Sequence, residues 1–150
     1  MVLAVLTACG GSKEAAVDST AAMAPEPTSA AAAPAAASIA DFAGSWQLTS
    51  NVQGAAKPVS SVLASDASNS WTLSLEGRPA MPVQVSMSGD SLIAQTAEYE
   101  SVLRKGVMVT TRTAAVMNGE TMAGNMEATY KTSKGEEKVP GTIAGTRTAK

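Results

Sequence analysis

Residues 107–132, VMVTTRTAAVMNGETMAGNMEATYKT, contain the pattern that decides the fold. Two runs rich in Val, Thr and Met, 107–117 and 121–132, flank the dipeptide Asn118-Gly119. Alternating apolar and polar residues are typical of β-strands with one buried face, and Asn-Gly favours a two-residue hairpin turn. This stretch therefore predicts an antiparallel β-hairpin.

The same sequence pattern extends over residues 41–150, where short runs rich in Val, Thr and Ser are separated by Gly, Pro, Asn and Asp. Trp71, Leu73 and Leu75, for example, lie on one side of a predicted strand. Residues 136–138 are expected at a hairpin tip, and 98–106 as an irregular crossing or lid. The other predicted strands cover 45–52, 58–64, the segment around 83–87, 91–97 and 139–148.

About eight strands at hairpin spacing, with no long helical segment, predict an all-β fold. Two architectures satisfy that pattern: a closed up-and-down barrel, and a sandwich, which usually contains longer Greek-key crossings. Because most connections are short, we expect an antiparallel up-and-down barrel of about eight strands.

The composition excludes several kinds of site. The chain has 150 residues, 11 basic and 13 acidic side chains, no His and one Cys, which suits a single domain. Without His, Ser/His/Asp and Cys/His catalysis and His metal ligands are excluded, and a lone Cys excludes intrachain disulfides and CxxC sites. A near-neutral charge balance without a basic run argues against a nucleic-acid partner. No motif indicates an enzyme, a metal site or a cofactor.

A second pattern lies at the N-terminus, where an apolar run ends in Leu6-Thr7-Ala8-Cys9, followed by Gly10. This resembles the lipobox of bacterial lipoproteins, in which a signal peptidase cuts before the Cys and the thiol receives a diacylglycerol. The resemblance implies a signal segment over residues 1–8 and a lipidated Cys9, with acyl chains such as palmitate. Because Gly rather than Asp follows the Cys, it also implies anchoring in the bacterial outer membrane.

The signal segment is shorter than the resemblance requires. A secretory signal normally begins with Lys or Arg, whereas residue 1 already lies inside the apolar stretch. We therefore expect the true translation start to lie upstream. The alternative is a short apolar leader with an incidental Cys. A membrane-spanning helix is excluded for this segment, since about 20 apolar residues are needed.

Residues 9–40 are predicted to be a lipid-anchored, disordered tether that precedes the barrel domain at 41–150. Alanine dominates residues 15–40, interrupted by Pro25, Pro27 and Pro34. The prolines break a helix, and no apolar stripe recurs at helical spacing. Little buriable surface is available to offset the entropy of ordering. The alternative is a short helix packed on the domain.

The two ends of the domain carry a further resemblance. Gly44-Ser45-Trp46 opens the first predicted strand, and Arg147 lies near the end of the last. This is similar to the Gly-x-Trp signature of lipocalin-like (calycin) barrels. The resemblance implies that Trp46 closes one barrel end while Arg147 stacks over its ring, a cation–π contact worth about 0.5–2 kcal/mol. The alternative is that Trp46 is a core aromatic of another β fold.

Several inward-facing side chains are candidates for the lining of a ligand cavity. Methionine is flexible and polarizable, so a Met-rich lining adapts to an apolar ligand, but Met equally fills irregular gaps in a core poor in aromatics. Both interpretations predict burial. The candidate lining residues are Trp71, Met87, Met117, Met122, Met126 and Tyr130.

The segment 98–106 offers a candidate interaction loop through Tyr99, Glu100 and Arg104. Glu98 and Glu100 share one side of an extended segment, which would suit an acid/base pair. A charge-balanced loop is the favoured interpretation, because paired catalytic carboxylates oppose each other across a cleft instead of neighbouring each other on one strand.

Together these features predict a membrane-anchored lipoprotein that presents a small, non-catalytic barrel and binds a small apolar ligand. The alternative is a surface interaction or inhibitor module with a filled core, whose partner is another envelope protein. A hydrolytic enzyme ranks third, since it would work without His or an evident metal set. We expect a monomer.

Overall fold

The computed structural model describes residues 36–149. Residues 1–35, which include Cys9 and most of the predicted tether, lie outside this range. A four-residue 3-10 helix, Ile39–Phe42, precedes the first strand. No helix among the described residues is long and apolar enough to cross a bilayer. The strands are β1 (Ser45–Val52), β2 (Val59–Ser65), β3 (Trp71–Leu75), β4 (Met81–Ser88), β5 (Ser91–Thr96), β6 (Tyr99–Glu100), β7 (Met108–Asn118), β8 (Thr121–Thr132) and β9 (Gly135–Ala149).

The sheet closes on itself into a barrel. Antiparallel neighbours follow the order β5-β4-β3-β2-β1-β9-β8-β7, and β5 pairs with β7, where Ser91 lies opposite Val116. This last pairing makes a ring of eight strands, which leaves no open edge in the ring. The two-residue β6 adds to the end of β7, with Tyr99 opposite Val109. The predicted eight-stranded antiparallel barrel is confirmed, and the sandwich is not formed.

The period-two pattern sets which side chains face inward. In β1, Trp46, Leu48 and Ser50 are buried, whereas Gln47 and Thr49 between them are exposed. Because adjacent side chains of a strand point to opposite faces, this alternation places every second residue in the barrel interior. Register extends the pattern across the strands, and Trp46 of β1 pairs with Arg147 of β9.

The hairpin between β8 and β9 differs from the expectation. Residues 136–138 belong to β9 and not to a hairpin tip, because β8 runs to Thr132 and offers each of them a partner, as with Lys131 opposite Glu136. The turn is the two-residue connection 133–134, closed by the Thr132 hydroxyl, which donates to the Gly135 carbonyl at 2.8 Å. Both faces of the strand are exposed at this rim and carry charged residues, so the sequence lacks the apolar–polar alternation that predicts a strand.

The two ends of the barrel differ, because the 3-10 helix packs against only one of them. The connections 66–70, 89–90 and 119–120 lie at one end, which we call the closed end because the 3-10 helix packs there. Ala37 and Ile39, from the segment assigned to the tether, pack against the core at this end, and the Ala37 amide donates to Asp90 Oδ1 at 3.2 Å. The connections 53–58, 76–80, 97–107 and 133–134 lie at the other, open end.

Candidate functional site

Trp46 seals the closed end of the barrel. Its side chain is fully buried, and its Nε1 donates a hydrogen bond to the Phe42 carbonyl at 2.7 Å. The guanidinium carbon of Arg147 lies 4.3 Å from the centroid of the Trp46 ring. Gly44, with a φ of 124° that favours glycine, turns the chain into β1 and donates its amide to Ser65 Oγ at 2.8 Å. The structure thus brings Gly44, Trp46 and Arg147 together.

Arg147, in the last strand, links Trp46 to the residues that precede the first strand. Its guanidinium donates to the Asp41 carbonyl at 2.7 Å and also to the Ala43 carbonyl. Its Nε lies 3.0 Å from Glu120 Oε2, and its side chain is only 5% exposed. A terminal nitrogen also contacts the Met117 sulfur at 3.1 Å. A buried cation is therefore compensated by carbonyls, a carboxylate and an aromatic face.

A cavity of about 70 Å³ lies within the barrel. We call it the inner cavity. Its wall is mainly aliphatic, with hydroxyl-bearing residues at several positions. The aliphatic and Met residues that line it include Leu48, Leu63, Leu73, Leu75, Val83, Leu92, Val109, Met122, Met126, Ala128 and Ile143. The hydroxyl-bearing residues are Ser50, Ser61, Thr96, Tyr99, Ser101, Thr111, Thr113 and Tyr130.

Half of the residues predicted for the lining lie outside it. The structure brings Met122, Met126 and Tyr130 to the cavity wall. Trp71, Met87 and Met117 do not line it but belong to the packed core with Phe42 and Trp46. They lie at the ends of their strands next to closed-end turns, and alternation in sequence gives the face of a residue but not its height along the barrel.

Hydroxyl groups in the cavity wall are unevenly satisfied. The Thr96 hydroxyl accepts from the Thr111 amide at 2.9 Å and lies 3.2 Å from the Thr111 hydroxyl. Burial raises the pKa of Tyr99, partly offset by a hydrogen bond with Thr111. Ser50 and Ser61 are 8% and 6% exposed, and their hydroxyl groups make no hydrogen bond to another residue in 36–149. They are free to bond a ligand or water.

A second cavity of about 390 Å³ lies at the open end, and we call it the outer chamber. Val52, Val102, Leu103 and Tyr130 line both cavities, so these four residues form the boundary between them. The remaining wall of the outer chamber is formed by Gln53, Gly54, Ala55, Ala56, Lys57 and Arg104.

Residues 101–107, which we call the rim loop, supply Val102 and Leu103 to that boundary. A cation–π contact and an ion pair of Arg104 attach this loop to the barrel. The guanidinium carbon of Arg104 lies 4.1 Å from the Tyr130 ring centroid. Arg104 also makes two hydrogen bonds to the Glu137 carboxylate, at 2.7 and 2.9 Å. This guanidinium holds the pKa of Glu137 below its usual range. The rim loop is therefore attached to the barrel at β8 and β9.

Three other side chains of the segment 98–106 also have partners. Ser101 Oγ accepts from the amides of Leu103 and Arg104, each at 3.0 Å. Glu100 Oε1 accepts from the Gly106 amide at 2.9 Å, and Glu98 forms an ion pair with Lys131. The two carboxylates thus have separate partners, and neither is paired with Arg104, which binds Glu137 instead.

The sequence placed Tyr99, Glu100 and Arg104 in one candidate interaction loop, but the structure divides them. Tyr99 lines the inner cavity, Glu100 bonds within the loop, and Arg104 lines the outer chamber. The association of Arg104 with Tyr130 and Glu137 was missed. No local signal reveals it, because these residues come from the rim loop and two different strands.

Metal ligands are not grouped in the described part of the chain: no cluster of three or more His, Cys, Asp and Glu side chains occurs there. No family model and no curated protein matches the chain. Among solved structures, the chain is similar to the bradavidin2–biotin complex, with 17% identity and a TM-score of 0.43. The similarity covers 66% of this chain and 93% of that one, and at such identity it concerns the fold alone.

Proposed function

We propose that the barrel is a non-catalytic binding module for a small ligand, whose apolar part enters the inner cavity through the outer chamber. The observation that carries the proposal is the shared boundary of the two cavities at Val102, Leu103 and Tyr130. Ligand sites are typically concave and mostly apolar, with a few polar groups that fix orientation. The inner cavity has this composition.

The size of each cavity constrains the ligand. An inner cavity of about 70 Å³ holds on the order of five water molecules, which leaves room for a narrow chain and not for a fused ring system. The outer chamber, at about 390 Å³, lies within the range of about 300–1,000 Å³ for small-molecule sites. A ligand that fits both has a slender apolar end and a bulkier or hydrated other end.

The structure favours ligand binding over a surface interaction module. An interaction loop requires Tyr99, Glu100 and Arg104 to be available to a partner protein. Tyr99 instead faces the cavity, and the other two side chains are engaged within the chain. The inner cavity also supports ligand binding, because the alternative requires a filled core.

The binding proposal is tested with octan-1-ol and the methyl signals of methionine in NMR spectra. Octan-1-ol is expected to shift the methyl signals of Met122 and Met126, which line the cavity, and to leave those of Met87 and Met117 nearly unchanged. Ser61→Leu fills the cavity and should abolish the shifts. Ser60→Leu, on the outward face of the same strand, is the matched control. Absent shifts, or equal shifts at all four methionines, would contradict the proposal.

We also propose that the barrel is held at the outer membrane of a bacterium through acyl chains on Cys9. The support is the lipobox resemblance of Leu6-Thr7-Ala8-Cys9. Acyl chains contribute about 0.8 kcal/mol per buried methylene, so several chains anchor a protein durably. Metabolic labelling with palmitate should label the wild-type protein and not the Cys9→Ser variant. An unlabelled wild-type protein would contradict the proposed acylation.

A further inference from the structure

We infer that the ligand is an anionic amphiphile, with an unbranched alkyl tail in the inner cavity and a carboxylate head in the outer chamber. The inference rests on the proposed function and deepens it by naming the ligand class. It depends on the charges of the residues that line the two cavities, which differ. The inner wall contains no charged residue, whereas the outer chamber is lined by two cationic side chains, Lys57 and Arg104.

The outer chamber has no acidic residue in its wall. Lys57 forms no ion pair with any residue in 36–149, so its ammonium group is available to a ligand. Arg104 shares its charge with Glu137 through the two hydrogen bonds described above. The local field in the chamber is therefore positive, and Lys57 is its uncompensated source.

Several carboxylates elsewhere at the open end have partners within the chain. Glu98 pairs with Lys131, and Glu127 pairs with Lys138 at 2.9 Å. Glu100 accepts the Gly106 amide. Glu76 and Glu136, which also lie at the open end, form no ion pair among residues 36–149, but neither lines the chamber. Lys57 is therefore left without an internal counter-ion.

The orientation of the ligand follows from the cost of burying charge. A carboxylate placed among the aliphatic side chains of the inner cavity would lose its hydration without a cationic partner. In the outer chamber, the same group keeps water and gains the Lys57 ammonium and the Gln53 amide as donors. The alkyl tail gains free energy by leaving water for the inner cavity. The head is thus at the open end and the tail points towards Trp46.

The test compares three probes of one tail length by calorimetry at neutral pH and low salt: octanoate, octan-1-ol and octylammonium. Octanoate is expected to bind about three- to tenfold more tightly than octan-1-ol, and octylammonium more weakly than both. Lys57→Gln should reduce the affinity for octanoate to that for octan-1-ol and leave octan-1-ol binding unchanged. Lys134→Gln removes a Lys on the 133–134 turn, outside the chamber wall, and is the matched control.

The outcomes separate this inference from the proposed function. Equal affinity for octanoate and octan-1-ol, or equal effects of Lys57→Gln and Lys134→Gln on octanoate, would overturn the anionic ligand class while binding of apolar tails stands. If none of the three probes binds the wild-type protein, the proposed function itself fails.

Discussion

The guanidinium of Arg147 stacks 4.3 Å from the Trp46 ring centroid, and the two residues are also paired in register between β1 and β9. The same guanidinium bonds the carbonyls of Asp41 and Ala43, which lie before β1. One side chain from the last strand therefore fixes the entry of the first strand. This joins the two ends of the domain at the point where the barrel is closed by Trp46.

Arg147→Ala is expected to lower the free energy of unfolding by about 2–4 kcal/mol, since it removes a cation–π contact and charge-assisted hydrogen bonds. Urea denaturation measures the change, with an unaltered dependence on denaturant. Arg112→Ala, on the exposed face of β7, is the control and should stay within about 0.5 kcal/mol of wild type. A loss at Arg147 no larger than that of the control would show that the plug contributes little.

The two tryptophans are expected to respond differently to replacement by Phe. Trp46 Nε1 bonds the Phe42 carbonyl, whereas Trp71 Nε1 is buried without a hydrogen-bond partner among residues 36–149. Trp46→Phe leaves a buried carbonyl without this donor, while Trp71→Phe removes an unpaired donor. The first should therefore cost about 1–3 kcal/mol more stability than the second. Thermal and urea unfolding of both variants test this, and equal losses would contradict it.

The fold was predictable because period-two alternation is a local property of the sequence. The Asn118-Gly119 dipeptide and the runs on either side place β7 and β8 with an error of one residue. The pairing of β5 with β7 closes the barrel but leaves no local signal, since it brings together strands separated by the rim loop. Short connections alone favoured closure.

The site was predictable only in part, for a geometric reason. Alternation showed that Met87, Met117, Met122 and Met126 face inward, but it did not show how far each lies from the closed end. That height depends on strand stagger, which arises from pairing across the whole barrel. The outer chamber was missed because Lys57 sits in a connection whose position is set by its neighbours and not by its own composition.

Glu137→Gln is expected to loosen the rim loop. The substitution keeps the size of the side chain and removes the charge that Arg104 contacts at 2.7 and 2.9 Å. Hydrogen exchange at the Leu103 and Arg104 amides should become about two- to fivefold faster. Glu136→Gln, the preceding residue of β9, is the matched control. Unchanged exchange in Glu137→Gln would show that Tyr130 stacking alone holds the loop.

The same ion pair predicts a pH dependence with a definite sign. Arg104 lowers the pKa of Glu137 from its ordinary value of 4.5. A depressed carboxyl pKa stabilises the attached loop above that ordinary value, and the contribution is lost as pH falls through the lower value of the folded protein. Rim-loop exchange, corrected for its intrinsic pH dependence, should therefore rise below pH 4.5 in the wild type. In Glu137→Gln it should be fast already and show no such rise.

Two inward-facing glycines are expected to differ in their tolerance of a methyl group. A Cβ at Gly124 would overlap the carbonyl oxygen of Ala114 and lie 2.6 Å from the Ala115 Cα, both of them backbone atoms of β7. A Cβ at Gly145 would instead meet the end of the Leu48 side chain, which can rotate away, and would lie 3.1 Å from the Met122 Cγ and 3.2 Å from the Gln47 carbonyl oxygen, both less severe contacts than those at Gly124. Neither glycine has a positive φ, so the difference is steric.

Because a paired strand moves only with its neighbours, Gly124→Ala should cost about 3 kcal/mol or more of stability and Gly145→Ala about 1 kcal/mol. Urea unfolding of the two variants provides the measurement, and a Gly124→Ala protein as stable as Gly145→Ala would mean that β7 and β8 lie farther apart at this position.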